Sequence, residues 1–399
     1  MIMKNQSFRA ILHSCLKIVR YSVNILFPKN PHKVIFMSGP DDYIDNSRAL
    51  SDYILSRNDL SQYKIYWVFR NRNVKNVDSR IHPIYLSEKL GHLKYFFHTV
   101  TSKYLFSTHG AFDWVCHYVQ IYLCLWHGTM LKRIAYMQDP IRNKYYMQHC
   151  YLFASPSKFY NSIVAGSFNK KEKDVVTTGY PRVDLLFQDS DVLEKLNIDK
   201  STCKKIVLYM PTFRQAISSE YKETSLNVFK NELINFSDDE SLEEWNDYLS
   251  SLGILLIVKP HPSDNNIPKR ISLPYIRMID NQELADADVQ LYHLLHYADS
   301  LITDFSSVFC DYMVLDKPIG FIITDIDEYR IGRGFVFDSP VDYMPGVIIQ
   351  DKENFKLFFY NVANAIDESK KKRDLLKTIY NEYFDGNNCS RVLKTVGIQ

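Results

Sequence analysis

The chain has 399 residues, 46% of them apolar and 24% charged, enough to bury two cores of ordinary size and too well mixed for a disordered or low-complexity protein. A formal net charge of +2, with no basic patch of interleaved aromatics, excludes the broad basic field of a nucleic-acid binder, so no nucleic-acid partner is expected. Seven scattered cysteines without a CxxC pair argue for buried reduced thiols in a cytosolic protein rather than disulfides or zinc, and there is neither a signal-peptide pattern nor an uncharged run of ~20 residues to span a bilayer.

The first segment is a basic block. Lys4, Arg9, Lys17, Arg20, Lys29 and Lys33 all precede the first acidic residue, Asp41. Phe8, Ile11, Leu12, Cys15, Val19, Val23 and Leu26 recur at three- and four-residue steps, which predicts an amphipathic helix within residues 1–30, ended by Pro28. Such a helix either lies in the headgroup layer of an anionic membrane or packs its apolar side on the protein itself.

From Val34 onward, short apolar runs alternate with helical patterns: 34–39, 64–69, 103–107, 120–126, 151–155 and 174–182. Continuous apolar strands separated by helices are the pattern of a parallel sheet covered on both faces. The polar stretch 189–205 is the expected linker, dividing a first α/β domain, 31–195, from a second, 196–399. The second domain repeats the pattern with strands at 205–210, 254–258, 300–304 and 318–322, a surface region at 218–247 with helical spacing through Leu226, Phe229, Leu233 and Ile234, a helix at 288–295, and helical character over 354–383. Two doubly wound domains with a cleft between them place ligands outside the carboxyl ends of the strands.

Three strand ends carry chemistry. The run Leu125-Trp126 delivers His127, followed by Gly128, whose missing side chain admits a close ligand, and by Thr129, the expected cap of a helix through Leu131 and Ile134. The run 254–258 delivers His261 between Pro260 and Pro262, a stiff extended presentation, beside Lys259. Asp304-Phe305-Ser306-Ser307 opens a helix whose unpaired N–H groups suit a phosphate or diphosphate. Taken singly, each histidine is also compatible with a structural hydrogen bond, and each helix start with a plain N-cap. Together they point to one active site shared by His127 and His261.

His127-Gly128-Thr129, Gly179-Tyr180-Pro181-Arg182, Pro211-Thr212-Phe213-Arg214, Lys259-Pro260-His261, Thr303-Asp304-Phe305-Ser306-Ser307 with Asp311, and Arg333-Gly334-Phe335 stand in the order seen in the CDP-glycerol glycerophosphotransferases, the teichoic-acid and capsule polymerases and primases of bacteria. The chain resembles that family from about Val34 to Asp385-Gly386, with Met130 where members often carry proline. The resemblance implies a GT-B-like fold: two Rossmann-like domains facing a cleft, the first on the acceptor side and the second binding the CDP donor, behind a short N-terminal helix. Set beside the longer polymerases, it implies the catalytic module and a short N-terminal segment. It implies transfer of glycerol phosphate or another alditol phosphate from CDP-glycerol or CDP-ribitol to a hydroxyl of a lipid-linked glycan or polyol-phosphate acceptor. CMP is released, no cofactor is needed, and the enzyme sits peripherally on the cytoplasmic face of the membrane.

Carried over by position, the essential residues are His127 and His261. The donor contacts are Gly128, Thr129, Arg182, Pro211, Thr212, Lys259, Pro260, Ser306, Ser307 and Asp311. Arg214 and Arg333 join them on charge alone. The roles expected are His127 as general base, His261 and Lys259 on the diphosphate and the departing CMP, and Asp311 on a donor hydroxyl. With Asp304 and Asp311 so assigned, no metal site is expected. Two other readings share these features: a GT-B glycosyltransferase using a nucleotide sugar, and a catalytically silent membrane-associated scaffold.

Overall fold

The computed structural model describes residues 15, 16, 18, 19, 21–39, 42–112, 114–138, 151–214, 228, 233–261 and 271–398. The strands are β1 Asn30–Met37, β2 Lys64–Phe69, β3 His82–Tyr85, β4 Ser102–Ser107, β5 Ile121–Cys124, β6 Leu152–Ser155, β7 Val175–Thr177, β8 Lys205–Tyr209, β9 Ile254–Val258, β10 Ile276–Met278, β11 Ser300–Thr303, β12 Ile319–Ile322 and β13 Val347–Ile349. They form two parallel sheets, one of order β3-β2-β1-β4-β5-β6-β7 and one of order β10-β9-β8-β11-β12-β13. The expected two doubly wound α/β halves are what the chain adopts.

The apolar runs explain why the sheets form. All five residues of β9 and the last five of β1 are buried, as in strands covered by helices on both faces. Register is pinned by aromatics: Phe36 on β1 pairs with Trp67 on β2 and Phe106 on β4, and the three rings stack at 5.3 and 5.2 Å. Such pairs add about 0.5–1.5 kcal/mol each beyond their burial.

Each sheet reverses its strand order once, between β1 and β4 and between β8 and β11, so each has a crevice at its carboxyl edge. The segment between the sheets is packed rather than loose, with Val192, Leu196 and Ile198 buried. The last helices, Lys370–Tyr380 and Asn388–Val396, cross back to the first half. There Asp184 accepts from the backbone N–H groups of Asn388 and Cys389 at 2.8 and 2.7 Å, and Glu382 N donates to Pro156 O at 2.9 Å.

Phe8, Ile11 and Leu12 of the expected N-terminal helix lie outside the described residues, as do Leu226, Phe229 and Pro262. Residues 21–26 are helical and are tied down by their polar side: the buried Asn24 donates to Gln120 Oε1 at 2.8 Å, and Tyr21 OH lies 3.2 Å from His117 Nδ1. Of the described residues on the expected apolar stripe, Cys15, Val19 and Leu26 are exposed and Val23 is half-buried. Among the described residues no helix is long and apolar enough to cross a membrane.

Candidate active site

β5 stops at Cys124, and the chain then turns sharply. Trp126 takes φ +55, a conformation rarely adopted by a bulky side chain, while its ring packs edge-on to Phe168 at 4.6 Å and its carbonyl accepts from Asn46 at 2.8 Å. That turn presents His127 half-buried at the carboxyl edge of the first sheet. Its Nδ1 lies 3.4 Å from the carbonyl of Thr108, at the end of β4, and its ring stacks on His109 at 4.2 Å and 8°. Burial, and then the neighbouring His109, hold the His127 imidazolium well below the ordinary range, so the ring is neutral at physiological pH.

Gly128 has φ +148 and touches the other half of the molecule. A Cβ there would stand 2.3 Å from Ser307 Oγ and 3.2 Å from Arg182 Nη2. The His127 turn therefore abuts the start of the helix Val308–Tyr312, which follows β11.

The helix expected after Thr129 does not form. Residues 131–133 instead run extended against 334–336: Lys132 bridges Phe335, Arg133 N donates to Gly334 O at 3.1 Å, and Val336 N donates to Leu131 O at 2.8 Å. The backbone groups that a helix would have used are taken by a distant segment, which local periodicity does not reveal. Thr129 is buried and its hydroxyl has no hydrogen-bond partner, so it caps nothing.

This extended run brings Lys132 to the second half. Its Nζ lies 5.8 Å from the ring of Phe213 and 6.0 Å from that of Tyr329. Phe213 in turn sits 4.8 Å from His261. Burial first, then Lys132 and Lys259, push the His261 imidazole down to about 3, and Lys132 also contributes to depressing His127. Both histidines are thus desolvated neutral bases within the field of one lysine.

Other residues expected to contact the donor are paired within the protein. Arg182 is buried: its Nη2 pairs with Asp311 at 2.7 Å and its Nη1 with Asp45 at 2.8 Å. Tyr292 OH donates to the same Asp311 oxygen at 2.5 Å. Burial outweighs these partners and raises the Asp311 carboxyl above its usual range. Arg182 and Asp311 were both expected on the donor, but their polar ends face each other and join the two halves. Asp311 Oδ1 remains buried without a partner.

Arg214 is likewise enclosed. It pairs with Asp304 at 2.8 Å and Asp325 at 2.6 Å and donates to Thr212 Oγ1 at 2.6 Å. Asp304 does not cap a helix: it accepts from Thr212 N at 3.0 and 3.1 Å, tying the end of β11 to the segment after β8. Pro211 and Thr212 are buried at that crevice. Lys259 is buried with Nζ donating to Pro260 O at 3.0 Å, Ser306 Oγ accepts weakly from Val308 N at 3.4 Å, and Arg333 is half-buried at the end of the helix Ile326–Gly332. Among the described residues no three His, Cys, Asp or Glu side chains cluster as a metal site.

The first half thus supplies His127, Gly128 and Lys132, and the second supplies Phe213, His261 and Ser307. Across residues 19–397 the chain matches the family model described as CDP-Glycerol:Poly(glycerophosphate) glycerophosphotransferase. The protein is a member of that family. It is 28% identical to a teichoic acid poly(glycerol phosphate) polymerase of Bacillus spizizenii, covering 94% of this chain and 93% of that one. It is 30% identical to a teichoic acid glycerol-phosphate primase of Bacillus subtilis over 63% of this chain and 58% of the relative, and 25% identical to a teichoic acid glycerol-phosphate transferase of Staphylococcus aureus over 99% and 100%. The wall teichoic acid polymerase TagF shares the fold, with a TM-score of 0.74, 20% identity, and coverage of 98% of this chain and 97% of that one. The glycerophosphotransferase therefore has the GT-B-like arrangement of two Rossmann-like units.

The sequence reading missed two residues of this site. Lys132 lies within the His127 stretch, but an expected helix assigned it no direction. His109 ends the run Leu105-Phe106-Ser107-Thr108-His109-Gly110, the same apolar-strand-then-His-Gly pattern that flagged His127. That repeated pattern was the available signal.

Proposed function

We propose that this glycerophosphotransferase moves glycerol phosphate, or another alditol phosphate, from a CDP-alditol to a hydroxyl of a membrane-linked acceptor in teichoic-acid or capsule synthesis. The observation that carries the reading is the meeting of the two histidine strand ends: the His127-Gly128 turn abuts Ser307, and Lys132 lies 5.8 Å from the ring of Phe213, which sits 4.8 Å from His261. His127 accepts the acceptor's hydroxyl proton on Nε2 while Nδ1–H faces the Thr108 carbonyl. The freed oxygen attacks the phosphorus that bears the alditol, the bond from that phosphorus to the bridging oxygen breaks, and CMP departs with the electron pair. Lys132, His261 and the Ser306-Ser307 backbone stabilise the charge developing on the diphosphate. Arg182 and Asp311 hold the two halves in register around this step.

Release of CMP from CDP-glycerol or CDP-ribitol with a lipid-linked acceptor tests the reading, with UDP- and GDP-sugars as controls. CDP-alditol turnover that His127→Ala abolishes is expected. Turnover of a nucleotide sugar in its place, or an unimpaired His127→Ala, contradicts it.

The enzyme reaches its acceptor as a peripheral protein on the cytoplasmic membrane face. Support comes from the outward apolar side of the first helix, where Leu26 is 80% and Ile18 67% exposed, in a segment that also carries Lys17, Arg20 and Lys29. Leu93 and Phe97 on the helix Gly91–Thr101 extend the exposed patch, joined to it where Phe27 meets Phe96. Co-sedimentation with anionic vesicles that falls in the variant Ile18→Glu/Leu26→Glu is the expected result. Unchanged sedimentation refutes the anchoring.

A further inference from the structure

We propose that His109 is a positioning residue for His127: stacked face to face on it, His109 fixes the plane of the His127 ring and keeps its Nε2 unprotonated until the acceptor hydroxyl arrives. This rests on the reading of His127 as the general base.

The geometry leaves His127 little freedom. His109 lies parallel on its ring at 4.2 Å, Trp126 meets it at 3.9 Å, and the Thr108 carbonyl stands 3.4 Å from Nδ1. An N–H on Nδ1 directed at that carbonyl leaves the lone pair on Nε2, the tautomer a base needs. His109 is itself fixed. Its Nδ1 lies 3.1 Å from Thr108 Oγ1, and its ring covers Gly39 so closely that a Cβ there would stand 2.5 Å from Cε1. Its carbonyl accepts from Ser107 Oγ and, at 3.5 Å, from Tyr122 OH. Gly39 is thus required for the stack, since any side chain there would displace the ring.

The charges around the pair favour one proton at most. His109 faces Asp45, which draws it towards the charged form, and Arg70, which opposes that; burial is the largest influence and lowers it. Burial is the largest influence lowering His127; His109, Arg182 and Lys132 also oppose its protonation, and the Thr108 carbonyl favours it. Two imidazolium rings face to face repel, so acid that charges His109 further suppresses the base. In turnover one proton moves, from the acceptor hydroxyl to Nε2, and the resulting imidazolium lies on the face of a neutral ring. His109 touches neither donor nor acceptor in this scheme.

The test is the pH–rate profile of CMP release from CDP-glycerol with a lipid-linked acceptor, in the full chain and in His109→Phe, His109→Ala and His127→Ala. His109→Ala is expected to lower kcat about tenfold or more, with the KM for CDP-glycerol held within about twofold, because base alignment is lost and donor binding is not. His109→Phe keeps the stack and restores most of kcat, but its acid limb moves to higher pH by roughly half a unit or more, since a phenyl ring cannot carry the opposing charge. Wild-type kcat and an unshifted acid limb in both His109 variants would overturn the proposal, as would a change confined to KM. The His127→Ala arm separates the two readings. If it is inactive while the His109 variants behave as wild type, only the positioning role fails; if it is fully active, the base assignment falls and this proposal with it.

Discussion

The two strand ends that carry the histidines reach the same neutral state chiefly by burial, and differ in what surrounds each ring. His127 is set in aromatic and backbone surroundings: a left-handed Trp126, a stacked His109 and the Thr108 carbonyl. His261 is set among cations and one aromatic, with Lys132 and Lys259 acting on it and Phe213 at 4.8 Å. Both rings are neutral and both feel Lys132, but His127 is oriented by a stacked ring and a backbone carbonyl, whereas on His261 the lysines are the largest influence after burial. Orientation suits a base that must meet a proton along a defined line, and a positive field suits a group beside a diphosphate.

The sharpest way to break this comparison is to remove either ring. His127→Ala and His261→Ala are each expected to lower kcat on the order of a thousandfold, about 4 kcal/mol, measured as CMP release under saturating donor. An effect on one only would leave a single-histidine site. Next in size is the tie between the halves. Asp311→Asn leaves Arg182 buried with half its compensation and is expected to destabilise the fold by about 3 kcal/mol in denaturant unfolding, at unchanged slope.

A smaller effect tests the lysine that the two histidines share. Lys132→Met is expected to lower kcat about tenfold and to raise the pKa of His261, read by titration of its ring protons; an unmoved His261 would remove Lys132 from the shared field. The smallest is a stability change with acid. The folded-state pKa of His261, about 3, lies below its ordinary value of 6.5, so the unfolded chain binds more protons between those limits and stability falls as pH drops through that window. His261→Gln should lessen that loss by about 1–2 kcal/mol between pH 7 and 4, discounted for the partial exposure of the ring.

Much of the architecture was legible because buried parallel strands are written as continuous apolar runs. The strands that the sequence reading passed over, β3, β10 and β13, are of another kind: each lies at a sheet edge, and β10 and β13 have only three residues. β3 carries the exposed His82 and Pro83, which read as loop. The failure of the helix after Thr129 has a tertiary cause, since the partner of 131–133 lies some two hundred residues on, at 334–336. The motif residues were findable, but their division was not. Arg182, Asp311 and Arg214 belong to the same set of motifs as His127 and His261, and only the packing shows that Arg182 faces Asp311 and Asp45 while Arg214 faces Asp304 and Asp325. Charge in a motif states that a partner exists; burial and geometry state which.

The claim that two histidines from two halves form one site is tested most directly by a double-mutant cycle on single-turnover CMP release, with His127→Ala, His261→Ala and both together. Groups that act as a unit are strongly non-additive, so the double variant is predicted to be no slower than the slower single one, within about threefold. Losses that multiply, with the double variant slower than either single one by the full product, would place the histidines in independent steps and contradict the shared site.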